Sequence, residues 1–426
     1  MPDGTATAHL FRPKIVTVLA EGYSSFAFQK DALAALTVAI VALPLSMAIA
    51  VASGVSPERG LYTSIIGGFL VSALGGSRYQ IGGPAGAFIV LVAATTTKFG
   101  LNGLLVTVML SGIMLTLVGL TRLGSLIRHI PHAVTVGFTC GIAVTIFAGE
   151  IRDLFGLHLN RTEPGPLIPK LLALSQAAPT LTPAAMVLGL SSAALIFHLR
   201  RFRPAWPGML IAVAIASLVA AGLDLPAQTI GSRFGDIPRS LPTPRMPEIS
   251  WPLVLQIFPS AISFTLLGGI ESLLSATVAD GMSGRKHRSN MELVAQGLAN
   301  IVSALFGGIS VTGTIARTAT NIRAGARSPF SGMMHALFVL LFMVIAAPLA
   351  KFIPLSALAG VLFVVCWNMA EKAEFARLMR NWPTAAVLLA TFGLTLIKNL
   401  TFGIVAGCLI GAILAAFRRR IPQEGD

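Results

Sequence analysis

Charge is scarce in this sequence, and acidic charge scarcest: 11% of the 426 residues are charged, and 17 are acidic against 31 basic. A soluble domain carries about 25% charged residues, so the chain has too little polar material to face water all round. Cysteine is almost absent. Cys140, Cys366 and Cys408 all fall within apolar stretches at separations that give no ligand spacing, so neither a disulfide nor a metal is expected. No Ser/His/Asp order, HExxH or CxxC pattern is present, which leaves an intramembrane enzyme unsupported, and nothing calls for a cofactor. The first 30 residues lack the apolar run and small-residue cleavage site of a signal peptide, so the first apolar span is expected to stay in the protein. A net charge of +14 could suggest nucleic acid, but the basic residues sit in short clusters between apolar stretches. That pattern marks membrane topology rather than a nucleic-acid face.

What is present is apolar: 54% of the residues are hydrophobic and mean hydropathy is +0.80. A helix needs roughly 20 apolar residues to cross hydrocarbon, and such runs recur throughout, so the class is an all-α polytopic membrane protein in contact with lipid. Fourteen spans are expected at 31-53, 60-76, 79-97, 101-120, 130-149, 183-199, 206-223, 252-280, 291-307, 309-325, 330-350, 354-370, 383-397 and 400-417. Pro164, Pro166, Pro169 and Pro179 interrupt residues 160-179, which read as an interfacial segment, as do 371-382 on the opposite side. With both termini cytoplasmic, 20 of the 31 basic residues fall in inner loops, Arg78, Arg128, Arg285 and Arg327 among them. This bias fixes the orientation in the inner cell membrane.

Sliding the chain on itself by about 225 to 230 residues lays 31-53 on 252-280, 79-97 on 309-325, 101-120 on 330-350 and 130-149 on 354-370. Seven spans is an odd number, so the second half enters from the opposite side, and an inverted repeat of seven plus seven results. The expected organisation is a cytoplasmic segment 1-30, a first repeat 31-223, an extracytoplasmic linker 224-251, a second repeat 252-417 and a cytoplasmic tail 418-426. Hydropathy alone lets any long membrane protein align with itself, so the repeat rests on the next feature.

The third and tenth spans correspond, and each is the least helical of its half. Tyr79-Gln-Ile-Gly-Gly-Pro-Ala-Gly-Ala87 offers an extended lead-in and then Pro84, suited to the first turn of a helix reaching about Thr97. Gly307-Gly-Ile-Ser-Val-Thr-Gly-Thr-Ile-Ala-Arg317 repeats the plan, with Thr312 or Thr314 available to cap a helix reaching about Arg323. Inversion points the two half-helix N-termini at one another, and their unpaired N–H groups and positive dipole ends suit an anion. Arg317, one turn into the second half-helix, adds a full charge to that site. A guanidinium at membrane depth is costly, so it most simply helps hold an anionic substrate. A buried pair with Glu271, or snorkelling to the cytoplasmic side, is the structural alternative, and close helix packing is the alternative for Gly82, Gly83 and Gly313.

Pro57-Glu-Arg-Gly-Leu-Tyr-Thr-Ser64, Gly75-Gly-Ser-Arg78 and Gly83-Pro84 resemble the signature of the sulfate permease (SulP) anion transporters, also called solute carrier family 26. Ala42-Leu-Pro-Leu-Ser-Met-Ala48 resembles that family's proline-containing first span, and Glu271-Ser-Leu-Leu-Ser275 with Asn290 to Asn321 resembles its eighth to tenth spans. The resemblance covers essentially the whole chain. It implies a core domain and a gate domain, with substrate between spans three and ten and faced by spans one and eight. By position the pocket would use Pro44, Leu45 and Ile49 of span one, Gly83, Pro84, Ala85 and Gly86 of span three, Glu271 and Ser275 of span eight, and Thr312, Gly313, Thr314, Ile315, Ala316 and Arg317 of span ten. Many members carry a glutamine where Leu45 stands and some a bulky aromatic where Ala85 stands, so the anion's identity is open between sulfate, bicarbonate, chloride and a dicarboxylate. The family usually continues into a soluble STAS domain; only 418-426 follow the last span here, and a membrane domain without STAS is expected.

Glu271 in its apolar span, with Ser275 on the same helix face, suggests coupling by a proton or a sodium ion, proton symport by alternating access being preferred. A sodium symporter, an exchanger or channel, and a nucleobase-type permease of the same fold are the competing readings, as is a scaffold without transport. A second copy of the chain is an open partner. His335 and His198 each stand alone and read as packing residues.

Overall fold

The computed structural model describes residues 11–124, 131–159, 164, 167–204, 206–398 and 400–420. Arg128, Pro166, residues 1–10 and the tail from 421 lie outside the described residues. Almost every described segment is helical, because long apolar runs in lipid must satisfy their backbone groups internally. A short helix α1 (Lys14–Glu21) precedes α2 (Ser25–Ala52), whose Ser24 side chain accepts the Ala27 N–H at 3.2 Å and carries Pro44 in its interior. The second span is irregular: α3 (Pro57–Tyr62), a wide turn Thr63–Gly67 with i→i+5 bonding, and α4 (Gly68–Leu74). Strand β1 (Gly82–Gly83) follows, then a tight turn Gly86–Phe88 and α5 (Ile89–Leu120). Gly100, at φ 68° and ψ −175°, breaks α5 into two helices; that backbone is one a residue with a Cβ rarely adopts.

Beyond come α6 (His132–Phe155), α7 (Leu167–Ala177), α8 (Pro183–Phe202), α9 (Gly208–Gly222), α10 (Ile230–Phe234), α11 (Trp251–Ser283) and α12 (Ser289–Leu305). Strand β2 (Thr312–Gly313) and α13 (Ile315–Arg323) match β1 and the start of α5 in plan. The chain ends in α14 (Phe330–Ala350), α15 (Leu355–Met369), α16 (Lys372–Leu378), α17 (Trp382–Ile397) and α18 (Leu400–Arg420). Among the described residues, seven helices are long and apolar enough to cross a membrane and three more are apolar but shorter, so the chain is a multi-pass membrane protein.

The helices pack in two groups. One holds α2 to α5 with α11 to α14; the other holds α6, α8, α15, α17 and α18, with α9 against α8 and α2. Backbones nearly touch inside the first group: a Cβ on Gly112 would lie 2.6 Å from the Gly297 carbonyl oxygen, so α5 and α12 meet through small residues.

Two local expectations are corrected. Pro84 does not open a helix: Ala85 is extended at φ −117° and ψ 144°, and the first turn starts at Gly86, because the strand geometry of Gly82–Gly83 continues for two more residues. Thr314 sits at the N-cap of α13 with an extended backbone, but its hydroxyl donates to the Ile81 carbonyl at 3.3 Å instead of capping, and the Thr312 hydroxyl pairs with Ser272 at 2.7 Å.

Candidate functional site

The two extended segments meet in the interior of the first group. Gly82 pairs with Gly313 and Gly83 with Thr312 in an antiparallel ladder, extended by the Thr314 N–H to the Ile81 carbonyl at 3.0 Å. Non-helical backbone at membrane depth must find partners in the protein, and buried side chains supply them. Asn300 accepts the Val311 N–H at 3.0 Å and donates to the Val311 carbonyl at 2.8 Å. The Thr63 hydroxyl, in the wide turn, accepts the Ile309 N–H at 2.7 Å. The Ser272 hydroxyl accepts the Gly313 N–H at 3.4 Å, and the Thr318 hydroxyl accepts the Ile81 N–H at 3.1 Å. The crossing is therefore held from spans two, eight, nine and ten.

Arg317 lies in the first turn of α13 and is 2% exposed. Its guanidinium donates from Nη1 to Ser64 Oγ at 3.1 Å, and from Nη2 to Ser46 Oγ at 3.0 Å and to the Pro84 carbonyl at 3.5 Å. Ser46 and Ser64 bond one another at 2.8 Å, so the arginine ties α2, the second span and the β1 strand together. A Cβ on Gly83 would stand 2.1 Å from Nη1, so a side chain there would have to displace the guanidinium. Nε finds no partner, and no ion pair joins Arg317 to Glu271 or to another carboxylate among the described residues. The buried guanidinium is thus held by hydroxyls and a carbonyl, with no carboxylate paired to it among the described residues.

The remaining predicted residues fall in two sets. Pro44, Leu45, Ile49, Gly83, Pro84, Ala85, Thr312, Gly313 and Thr314 are buried; Gly86 and Ile315 are partly open and Ala316 is exposed. Gly86 faces the second group, its Cβ position lying 3.4 Å from Met369 Sδ and 3.9 Å from both Ile146 and Val365. Leu45, Ile49, Ala85 and Ile89 share one apolar cluster with Ile142 and Ile146 of α6. Glu271 is partly buried on α11, with Oε2 lacking a partner, whereas the Ser275 hydroxyl is engaged with Thr318 at 3.3 Å.

A cavity of ≈ 1110 Å³ opens between the groups, walled by the end of α2, residues 89–98 of α5, and α6. Its lining includes Ile89 and Ile146, and Ile146 lies 3.9 Å from the Cβ position of Gly86 at the first half-helix N-terminus. Among the described residues, Lys98, Arg152, Lys170, Arg233 and Lys398 line it against Glu150 and Asp153, five basic side chains to two acidic. Asp153 bonds Arg233 at 3.3 Å.

Sequence reading missed Ser64, Gln80, Ser272 and Asn300 as supports of the crossing, and Asp31 and Glu292 as buried acids. Asp31 accepts the Tyr23 hydroxyl at 2.8 Å and the backbone N–H groups of Arg327 and Ser328 at 2.6 and 3.1 Å; Glu292 accepts the Ser77 N–H at 3.0 Å. The available signal was polar residues inside apolar spans, for which Glu292, Gln296 and Asn300 at four-residue spacing qualified.

The model of the Sulfate permease family matches residues 28–391. YvdB of Bacillus subtilis (strain 168), whose name assigns it provisionally to sulfate transport, is 43% identical over 95% of this chain and 76% of its own length. The bicarbonate transporter BicA of Picosynechococcus sp. (strain ATCC 27264 / PCC 7002 / PR-6) is 29% identical over 91% of this chain and 70% of its own. Among solved structures, the transmembrane domain of a cyanobacterial BicA superposes with a TM-score of 0.81 at 26% identity, covering 92% of this chain and 98% of that one. SLC26A9 shares the fold with a TM-score of 0.88 at 19% identity, covering 98% of this chain and 69% of that one.

Proposed function

The chain belongs to the sulfate permease family, and from that premise we propose that it is a secondary active transporter of a small anion of the sulfate or bicarbonate class, coupled to protons and working by alternating access. The observation that carries the site is the antiparallel crossing of Gly82–Gly83 with Thr312–Gly313, from which two half-helices run away. Helix starts that diverge from one point leave N–H groups and positive dipole ends at that point. Arg317 adds its charge from behind the crossing, and the five-to-two basic excess of the cavity favours an anion on the approach. A soluble substrate would enter past Ile146 and meet Gly86, Ala85 and Pro84 on one half-helix and Thr314, Ile315 and Ala316 on the other, with Leu45 and Ile49 beside them.

The first packing group is the core and the second the gate of a seven-plus-seven inverted repeat, a reading supported by the antiparallel sense of the crossing and by the likeness to BicA. Rocking of one group against the other would close the cavity and open the opposite side. Glu271, with an unpartnered oxygen on the helix that carries Ser272, is the proton carrier in this reading, and Ser275 its neighbour one turn on.

The test is anion binding by the purified protein, with sulfate, bicarbonate, chloride and a dicarboxylate as probes. One of these should bind saturably in the wild type and fail to bind in a folded Gly83→Leu or Gly313→Leu variant. Wild-type affinity in both variants would put the site elsewhere.

A further inference from the structure

At the opposite end of α2 from the large cavity lies a second one of ≈ 500 Å³, whose lining includes Glu21, Tyr23, Arg78, Tyr79, Arg285 and Arg327. Its floor is fixed. Tyr23 stacks on Phe330 with ring centroids 4.5 Å apart and donates its hydroxyl to Asp31, and Asp31 is further occupied by the Arg327 and Ser328 N–H groups. Among the described residues, Glu21, on α1, is the one carboxylate lining the cavity, against three guanidiniums. Arg78 is 9% exposed; its Nη2 is bonded to Glu21, but its Nε has no partner. Neither Arg285 nor Arg327 joins an ion pair among the described residues, and the Arg327 guanidinium lies 5.2 Å from the centre of the exposed Phe26 ring.

The surroundings add two more cations and one acid, Asp280, which is engaged by the His287 N–H and ring. Lys14 and Arg288 flank the same end of the first group, tied by the Lys14 N–H to the Gly75 carbonyl at 2.9 Å and by Arg288 Nη1 to the Arg12 carbonyl at 2.6 Å. Burial first, and then Arg288 and Arg78, push the Lys14 ammonium below its ordinary range. An excess of positive charge around a buried guanidinium is what an oxyanion neutralises, and the planar fork of arginine matches phosphate oxygens in pairs.

We infer that this cavity is a binding site for a phosphate-type oxyanion, in which Glu21 is a built-in competitor for Arg78. The phosphate comes from solution or from the headgroup of a phospholipid; Phe26 and Phe28, more than half exposed beside the site, offer apolar surface to an acyl chain. Displacing Glu21 would free α1 from Arg78, so an occupied site and a docked α1 compete. The site lies at the N-terminal end of α2, whereas the proposed transport site faces Pro44 to Ile49 of the same helix, and its existence does not depend on which anion is carried.

Calorimetric titration of the purified full chain tests it, with inorganic phosphate and with dihexanoyl phosphatidic acid as probes and dihexanoyl phosphatidylcholine as control. Arg285→Gln combined with Arg327→Gln changes two exposed side chains, and an unchanged unfolding temperature verifies the fold. That double variant should weaken binding about tenfold or more, and Glu21→Gln should tighten it about threefold. Arg317→Ala should leave it unchanged. Saturation by inorganic phosphate identifies the soluble source; saturation by phosphatidic acid alone identifies the lipid. Absence of binding by either probe, equal binding of phosphatidylcholine, indifference to both arginine changes, or loss of binding in Arg317→Ala instead, overturns the inference.

Discussion

Position 83 is settled by one distance. A methyl group there would stand 2.1 Å from Arg317 Nη1, so Gly83→Ala must push the guanidinium away from Ser64 and Pro84. Uptake should fall about tenfold or more, equivalent to about 1.4 kcal/mol, with the protein still extractable and folded; uptake at the wild-type rate would show that the arginine is not held where function needs it. Arg317→Ala should abolish uptake, and Arg317→Lys should recover only part of it, because one ammonium cannot reproduce a fork that spans Ser46, Ser64 and the Pro84 carbonyl. Substrate affinity measured in Arg317→Ala decides between a role toward the anion and a purely architectural one. Arg317 was legible in the sequence because a charge among apolar residues stands out. Its hydroxyl partners were not, since serine is unremarkable in a membrane helix and only the fold brings residues 46, 64 and 317 together.

At the scale of elements, the broken spans were legible from their glycine, proline and β-branched residues, and the helix limits from the apolar runs. The detail that escaped is conformational: local preference put Pro84 at a helix start, but pairing of Gly82–Gly83 with a segment some 230 residues away keeps the chain extended through Ala85. Gln80, whose partner Ser272 lies 192 residues away, escaped for the same long-range reason. Asn300 makes bonds to both polar groups of Val311, so Asn300→Leu strands a buried donor and acceptor, each worth ~1–3 kcal/mol. Its unfolding temperature should drop by several degrees and its uptake should fall with it; an unchanged melting curve would mean that the lead-in is not held by Asn300. The docking of α1 carries a pH signature. The bond to Arg78 holds the Glu21 carboxyl below its ordinary range, so this contact is fully present above the unfolded value and is lost as pH falls through the lower folded one. Protection of the amides in residues 14–21, relative to intrinsic exchange at each pH, should therefore be high at neutral pH and be lost only on acidification below the ordinary glutamate range, and it should already be lost at neutral pH in Arg78→Gln.

Over the whole molecule, the division into two packing groups was invisible to hydropathy, which reads each span alone and says nothing of which spans touch. The family resemblance implied it, and the contacts of α2 to α5 with α11 to α14 describe it here. The cavity between the groups brings together Lys98 and Lys398 from spans far apart in sequence. Replacing both by glutamine should raise KM for the anion about twofold to threefold at low ionic strength with kcat unchanged, and the difference should shrink near 1 M salt, where the Debye length is about 3 Å. A salt-independent change would argue for a direct contact. Coupling belongs to this scale too, because Glu271 acts only if both sides of the membrane reach it in turn. Glu271→Gln should retain anion exchange and lose the response to a proton gradient. The most direct test of the whole account is concentrative uptake of labelled sulfate and bicarbonate into proteoliposomes under an inward proton gradient. Saturable accumulation of at least one anion above its equilibrium level is expected, collapsed by a protonophore and absent in Glu271→Gln; accumulation driven only by sodium, or unsaturable flux that never exceeds equilibrium, would overturn proton-coupled transport.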